Sequence, residues 1–358
     1  MHLMMERKAL LAALIVAALA ISCREKGPEP RPAVPLVYTV ASDSSGLGRL
    51  AARAGHVGIN GRIALFGERA DGIYLSRRFQ SVDRRDNIDG RAHRDSLPDF
   101  AGETFDVIMD AYNEPYAGFL SDSTGLDSLR ETAVRGALFA WDSLSQAKII
   151  VFTSSLHARY GMFDVDTLQQ MKGGVCRLMS PVRESLKAAV RGGAKNIAVW
   201  ASDPVRESKV YESVFEEMGL TGSVVSITPD PALDICTEFR SVLRQYRLTG
   251  RKMDALILDG YGKDPAPLWS EIPIIRRAAT EEEDAFSAML PDNFQILDPG
   301  ACIVDAVYAL LREENLFTHR IHRPSVRYFV TEESLEGGLQ KVPLSAQYVQ
   351  SEYVPHIN

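Results

Sequence analysis

Met253-Asp254-Ala255-Leu256-Ile257-Leu258-Asp259-Gly260-Tyr261 decides how this chain is read. Residues 255–258 are apolar without interruption and too few for a helix, the pattern of a strand covered on both faces. The run then stops at Asp259-Gly260, residues that favour a sharp turn. Strands buried on both faces belong to parallel sheets clad by helices, and such sheets bind ligands beyond their carboxyl ends. The loop Asp259-Gly260-Tyr261 is therefore a first candidate site.

Working outward, the same rhythm recurs. Short apolar runs at 37–41, 62–66, 105–111 and 148–152 are strand candidates, and 127–144 carries apolar residues at helical spacing. Strands are expected at 196–200, 223–227, 254–258 and 294–297, and helices at 181–190, 207–218, 232–248, 281–289 and 301–313. The acidic run Glu281-Glu282-Glu283-Asp284 suits a helix N-terminus. Alternation of this kind predicts an α/β fold with parallel sheets. Chemistry is then expected just after Ala41, Phe66, Phe152, Trp200 and Leu258.

Bulk properties narrow the function. The 358 residues suffice for one large core or two moderate ones, and the net charge of −7 argues against a generic nucleic-acid surface. Arg7 and Lys8 precede an apolar stretch, 9–21, that suits a signal-peptide core and is short for a membrane span. Leu19-Ala20-Ile21-Ser22-Cys23 resembles the lipobox of bacterial lipoproteins, which implies lipidation of Cys23, a membrane tie through that lipid and residence in the bacterial envelope. A plain signal peptide with an incidental cysteine is the alternative. Residues 24–35, with Pro28, Pro30, Pro32 and Pro35, read as an extended tether. Cys176, Cys236 and Cys302 lack metal-ligand spacing, and no zinc site or other cofactor is expected.

Five further segments, in order, resemble the glutamate racemases and the wider aspartate/glutamate racemase superfamily. Asp43-Ser44-Ser45-Gly46-Leu47-Gly48 is similar to an Asp-Ser-Gly turn near the family's N-terminus. Phe66-Gly67-Glu68-Arg69-Ala70, with Tyr74 and Ser76 following, resembles a Phe-Gly-Asp-Thr-Ala…Pro-Tyr-Gly-x-Ser run. Ala201-Ser202-Asp203 through Tyr211, Ile296-Leu297-Asp298-Pro299-Gly300 and Tyr328-Phe329-Val330-Thr331 match later family segments. The resemblance implies two pseudo-symmetric parallel-sheet α/β domains of the aspartate/glutamate racemase type facing a cleft. Residues 36–180 would form the first, with 315–335 packing back on it; 181–314 would form the second and 336–358 a C-terminal extension.

In that family two thiols flank the α-carbon of the substrate, one removing a proton and the other returning one. Cysteine suits the task because its pKa of about 8.5 is readily tuned. Here Thr153 or Ser154, depending on register, stands at the first thiol position and Gly260 at the second. The resemblance therefore implies a scaffold without cysteine-dependent racemisation, binding a small acidic ligand, an amino acid or cell-wall fragment, and compatible with a homodimer. Asp43 and His157 are candidate replacement bases; Ser44, Ser45, Tyr74, Ser76, Ser155, Ser202, Asp259 and Tyr261 are candidate ligand contacts. Each has a plainer reading: turn residues at 43–45, helix capping at 154–157, packing at Tyr74 and Ser76. An isomerase with altered bases and a two-lobed periplasmic solute-binding lipoprotein remain as alternatives.

Overall fold

Ala64-Leu65-Phe66 and Ile149-Ile150-Val151 offer water no polar side chain, and each run forms a strand buried on both faces. In the computed structural model, which describes residues 31–353 apart from 56, 57, 88, 233 and 321, β1 (Arg62–Gly67) lies between β2 (Thr104–Met109) and β3 (Ala147–Phe152), parallel to both. A short β4 (Arg177–Met179) adds to β3. The second sheet comprises β5 (Asn196–Trp200), β6 (Ser223–Ile227), β7 (Ala255–Leu258) and β8 (Gln295–Leu297), all parallel in the order β6-β5-β7-β8. The chain then returns: β9 (Ser325–Glu333) pairs in parallel with β2, and β10 (Leu339–Leu344) closes that edge as an antiparallel hairpin. The first sheet thus reads β10-β9-β2-β1-β3-β4, and residues beyond 335 form part of it.

Both sheets belong to one unit, Ala33–Asn358. One apolar cluster runs from sheet to sheet: Val182, Leu186 and Ala189 of the helix Pro181–Arg191 pack with Ile150 and Phe152 on one side and Val199 and Ile257 on the other. Separate clusters cover the outer faces, led by Phe79, Phe105 and Val307 on the first sheet and Phe239, Leu256 and Phe286 on the second. Thr280 caps the helix Glu281–Met289 by accepting from the Glu283 N–H, and its four acidic residues sit in the first turn.

Two expectations fail. Residues 37–41 are not a strand; Pro35–Ser42 is a helix with Pro35 in its first turn. The β-branched residues mislead because burial there follows a helical stripe, with Val37 and Val40 inward and Tyr38 exposed. The helix expected at 207–218 is two, Asp203–Glu207 and Val210–Glu217, broken where Lys209 takes a φ of 47°. Packing also begins earlier than the expected tether allows: Ala33 and Val34 are buried, and the Val34 N–H donates to Asp164 Oδ1 at 2.9 Å. The expected signal peptide and Cys23 lie outside the described residues. Among the described residues no helix is long and apolar enough to cross a membrane.

A buried ion pair anchors the amino ends of the first sheet. Lys148 Nζ donates to Glu103 Oε1 at 3.0 Å, to the Ile59 carbonyl at 2.9 Å and to the Leu316 carbonyl at 2.6 Å. Glu103 also accepts the Thr318 N–H at 2.9 Å, so β3, the residue before β2 and the returning segment meet at one point. Burial lowers the Lys148 pKa and raises that of Glu103, while each charge holds the other. Lys148→Met is expected to destabilise the protein by about 3–5 kcal/mol in urea unfolding, because Glu103 is left charged and unpaired. Replacing both together (Lys148→Met with Glu103→Leu) is expected to recover most of that loss; a double variant as weak as the single one refutes this account.

Candidate functional site

Five parallel strands deliver their carboxyl ends to one cavity. The turn after β1 supplies Glu68 and Asp71, the turn after β3 Ser154 and Ser155, and the loop after β7 Asp259, Gly260 and Tyr261. Ser202 after β5 and Pro299 after β8 complete the wall, with Ala117 from the segment following β2. The cavity volume is about 190 Å³. At ~30 Å³ per water molecule this holds roughly six waters, the scale of a small metabolite.

Asp259 is its most elaborated residue. Its Oδ1 accepts from Ser155 Oγ at 2.5 Å and from the Tyr211 hydroxyl at 2.8 Å, fixing the carboxylate between the two sheets. Lys263 Nζ bonds its main-chain oxygen and stacks over Trp200 without lining the cavity. Burial raises the Asp259 pKa, although both hydroxyls favour the ionised form. Burial also raises Glu68, whose Oε1 accepts the Tyr116 N–H at 2.9 Å. Asp71 goes furthest: burial first, then the charges of Glu68, Asp259 and Glu114, hold it well above the ordinary carboxylate range. Its carboxylate has no hydrogen bond or ion pair among the described residues. Among the described residues no Lys, Arg or His lines the cavity.

The sequence-derived candidates divide. Ser154, Ser155, Ser202, Asp259, Gly260 and Tyr261 all line the cavity. The Tyr261 hydroxyl donates to the Thr153 carbonyl at 2.7 Å, and its ring stacks on Tyr74 with centroids 5.3 Å apart. Tyr74 therefore supports the wall from behind. Thr153 faces β1, where its hydroxyl meets the Phe66 carbonyl at 3.3 Å, so Ser154 is the residue of this pair that reaches the cavity.

Five candidates lie elsewhere. Asp43 sits between two helices, its Oδ1 accepting from the Ser45 N–H at 2.7 Å and its Oδ2 from the Gly48 N–H at 3.1 Å; these bonds lower its pKa. Ser44 and Ser45 are exposed in the same turn, and a Cβ at Gly48 would fall 1.7 Å from the Asp43 carbonyl oxygen, so the glycine serves the turn. Ser76 is fully buried and bonds the Ile73 carbonyl within its own helix. His157 is a core residue: its Nε2 pairs with Thr132 Oγ1 at 2.8 Å, its ring stacks on Phe66, and burial pushes its pKa down to about 3. It does not line the cavity and is no base for it.

Glu68, Asp71 and Tyr211 were not singled out from the sequence as site residues. For the first two a signal existed: acidic residues directly after a fully apolar strand. The resemblance had drawn notice to Tyr74 and Ser76 instead. With 37–41 helical, β1 is the first strand of its sheet.

The cysteines stay away. Cys176 is buried and Cys302 mostly so; burial pushes each thiol to about 12, and neither lines the cavity, nor does Cys236. Among the described residues no group of three or more His, Cys, Asp or Glu is placed to hold a metal ion.

No protein-family model and no curated protein matches the chain. Solved structures do. A glutamate racemase isoform of Bacillus anthracis superposes with a TM-score of 0.50 at 15% identity, covering 83% of this chain and 94% of its own. Glutamate racemase of Francisella tularensis in complex with D-glutamate gives 0.46 at 15% identity, covering 78% and 91%. An aspartate racemase homologue of Pyrococcus horikoshii gives 0.43 at 13%, covering 70% and 99%. Identities this low speak for the fold alone: the chain has the α/β fold of the aspartate/glutamate racemases and resembles glutamate racemase in structure.

Proposed function

We propose that this chain is a racemase-fold envelope lipoprotein that binds a small amino acid or related amine without performing two-thiol racemisation. One observation carries the reading. At the two positions matched to the family's thiols, the cavity wall presents the Ser154 hydroxyl and the bare Gly260. Gly260 has a φ of 82°, a left-handed conformation that L side chains rarely adopt, and an added Cβ would lie 3.3 Å from Lys263 Nζ. This loop is built for glycine. An aliphatic hydroxyl is a poor base near neutral pH without a general base bonded to it, and the Ser154 hydroxyl is hydrogen-bonded to none among the described residues.

Asp71 and Asp259 favour a second reading, an isomerase that uses carboxylates in place of thiols. Raised pKa values make both groups better proton acceptors than ordinary carboxylates. The solute-binding alternative has lost its main support, because the sheet arrangement matches the racemases.

One experiment separates the first two readings. In deuterated buffer, the purified full-length protein is expected to leave the α-proton NMR signals of L-glutamate, D-glutamate and both aspartate enantiomers unchanged relative to a heat-inactivated control. Loss of an α-proton sinks the non-racemising reading, and suppression of that loss by Asp259→Asn would identify the base. Anchoring is tested separately. A labelled fatty acid is expected to enter the wild type and not Cys23→Ala; equal labelling of both refutes the lipidation of Cys23.

A further inference from the structure

We infer that the cavity selects an ammonium group, so that its ligand is a small primary amine or an amino acid with a neutral or cationic side chain, and that dicarboxylates are excluded. The inference rests on the cavity being a ligand site, as proposed above, and replaces the acidic ligand expected from the resemblance.

Three carboxylates, Glu68, Asp71 and Asp259, line a space of about 190 Å³; among the described residues no cationic side chain lines it, and the nearby Lys263 ammonium is engaged by the Asp259 main-chain oxygen. Asp259 is oriented by the Ser155 and Tyr211 hydroxyls, and Glu68 by the Tyr116 N–H. Asp71 is left with neither a hydrogen bond nor an ion pair among the described residues. An independent observation points the same way. Ser154 is only 4% exposed and lines the cavity, yet its hydroxyl makes no hydrogen bond among the described residues. The Ser154 hydroxyl and the half-buried Asp71 carboxylate both open onto the cavity without a protein partner, so together they mark a place where a ligand's donors complete the set. An ammonium offers three donors and the compensating charge. A second carboxylate on the ligand would meet three like charges instead.

The groups facing Asp71 are Glu68, Glu114, Asp259 and Tyr261, and the nearby Arg69 guanidinium is engaged by Glu114. Nothing in this set neutralises Asp71, and an incoming ammonium favours the ionised form of the carboxylates it meets.

The test is calorimetric titration of the full-length protein with 1,5-diaminopentane, L-alanine, glutarate and L-glutamate. The amine is expected to bind at least tenfold more tightly than glutarate. Asp71→Asn is expected to weaken amine binding at least tenfold while the thermal midpoint holds or rises, since a like charge is removed; Ser154→Ala, a milder change, is expected to weaken it severalfold. Tighter binding of glutarate or glutamate than of the amine overturns the inference and leaves the binding reading in place. Binding of none of the probes overturns both. Unchanged amine affinity in a folded Asp71→Asn removes Asp71 from the site and overturns the assignment.

Discussion

Two hydrogen bonds across the cleft hold the site together. From the loop after β7, Asp259 takes the Ser155 hydroxyl at 2.5 Å and Tyr261 gives its hydroxyl to the Thr153 carbonyl at 2.7 Å. Both partners belong to the turn after β3, so the central strand of one sheet is tied to an inner strand of the other at their carboxyl ends. The shared apolar layer beneath, with Val182 and Leu186, brings the sheets together without specifying how their loops register. The two bonds supply that register, and the cavity between Glu68, Ser154 and Asp259 exists because of it. Tyr211 adds a third anchor from the second sheet's side, so Asp259 is desolvated but not abandoned.

Charge is handled differently at the two ends of the first sheet. At the amino end, Lys148 and Glu103 are buried together and neutralise each other, Lys148 with three hydrogen-bond partners and Glu103 with Lys148 and the Thr318 N–H. At the carboxyl end, Glu68, Asp71 and Asp259 crowd together with raised pKa values and too few donors. A carboxylate whose pKa is raised on folding favours the native state while protonated, and that contribution is lost as pH climbs from the unfolded value of about 4 through the folded one. Above the unfolded value the cluster therefore works against the fold. Sites that break the rule of pairing buried charge are where function is expected to reside.

Much of this was legible in the sequence, and the failures have physical causes. β7 and its Asp259-Gly260-Tyr261 turn were readable because a fully apolar run that stops at turn residues has few alternatives. Ser154, Ser155 and Ser202 followed from the rule that parallel sheets present ligands at strand ends. Residues 37–41 misled because β-branched residues suit either a strand or a stripe buried at helical spacing, and only tertiary packing chooses. Asp43 fell with them, since its candidacy depended on a strand leading into the turn. His157 misled for another reason. Its neighbours in space, Thr132 and Tyr116, lie far away in sequence, so nothing local distinguishes a ring stacked in the core from one facing a ligand. The open carboxylate of Asp71 was invisible for the same cause: the absence of a partner is a property of the fold.

The ammonium-binding cavity and the carboxylate isomerase pull against each other. Removing an α-proton requires a base of high proton affinity close to the ligand's α-carbon. Asp71 has that affinity because burial first, and then the charges of Glu68, Asp259 and Glu114, disfavour its ionised form. An amino acid that docks its ammonium there brings the missing charge, stabilises the ionised carboxylate and lowers the proton affinity on which catalysis would depend. Asp259, held by the Ser155 and Tyr211 hydroxyls, would have to serve either the same ammonium or the α-proton, and one contact hinders the other. A thiol pair avoids the conflict, since neither sulfur is needed to hold the ammonium. In a cavity whose wall offers carboxylates and hydroxyls, strong retention of an amine and rapid proton abstraction are competing uses of the same groups, and the unpaired state of Asp71 favours retention.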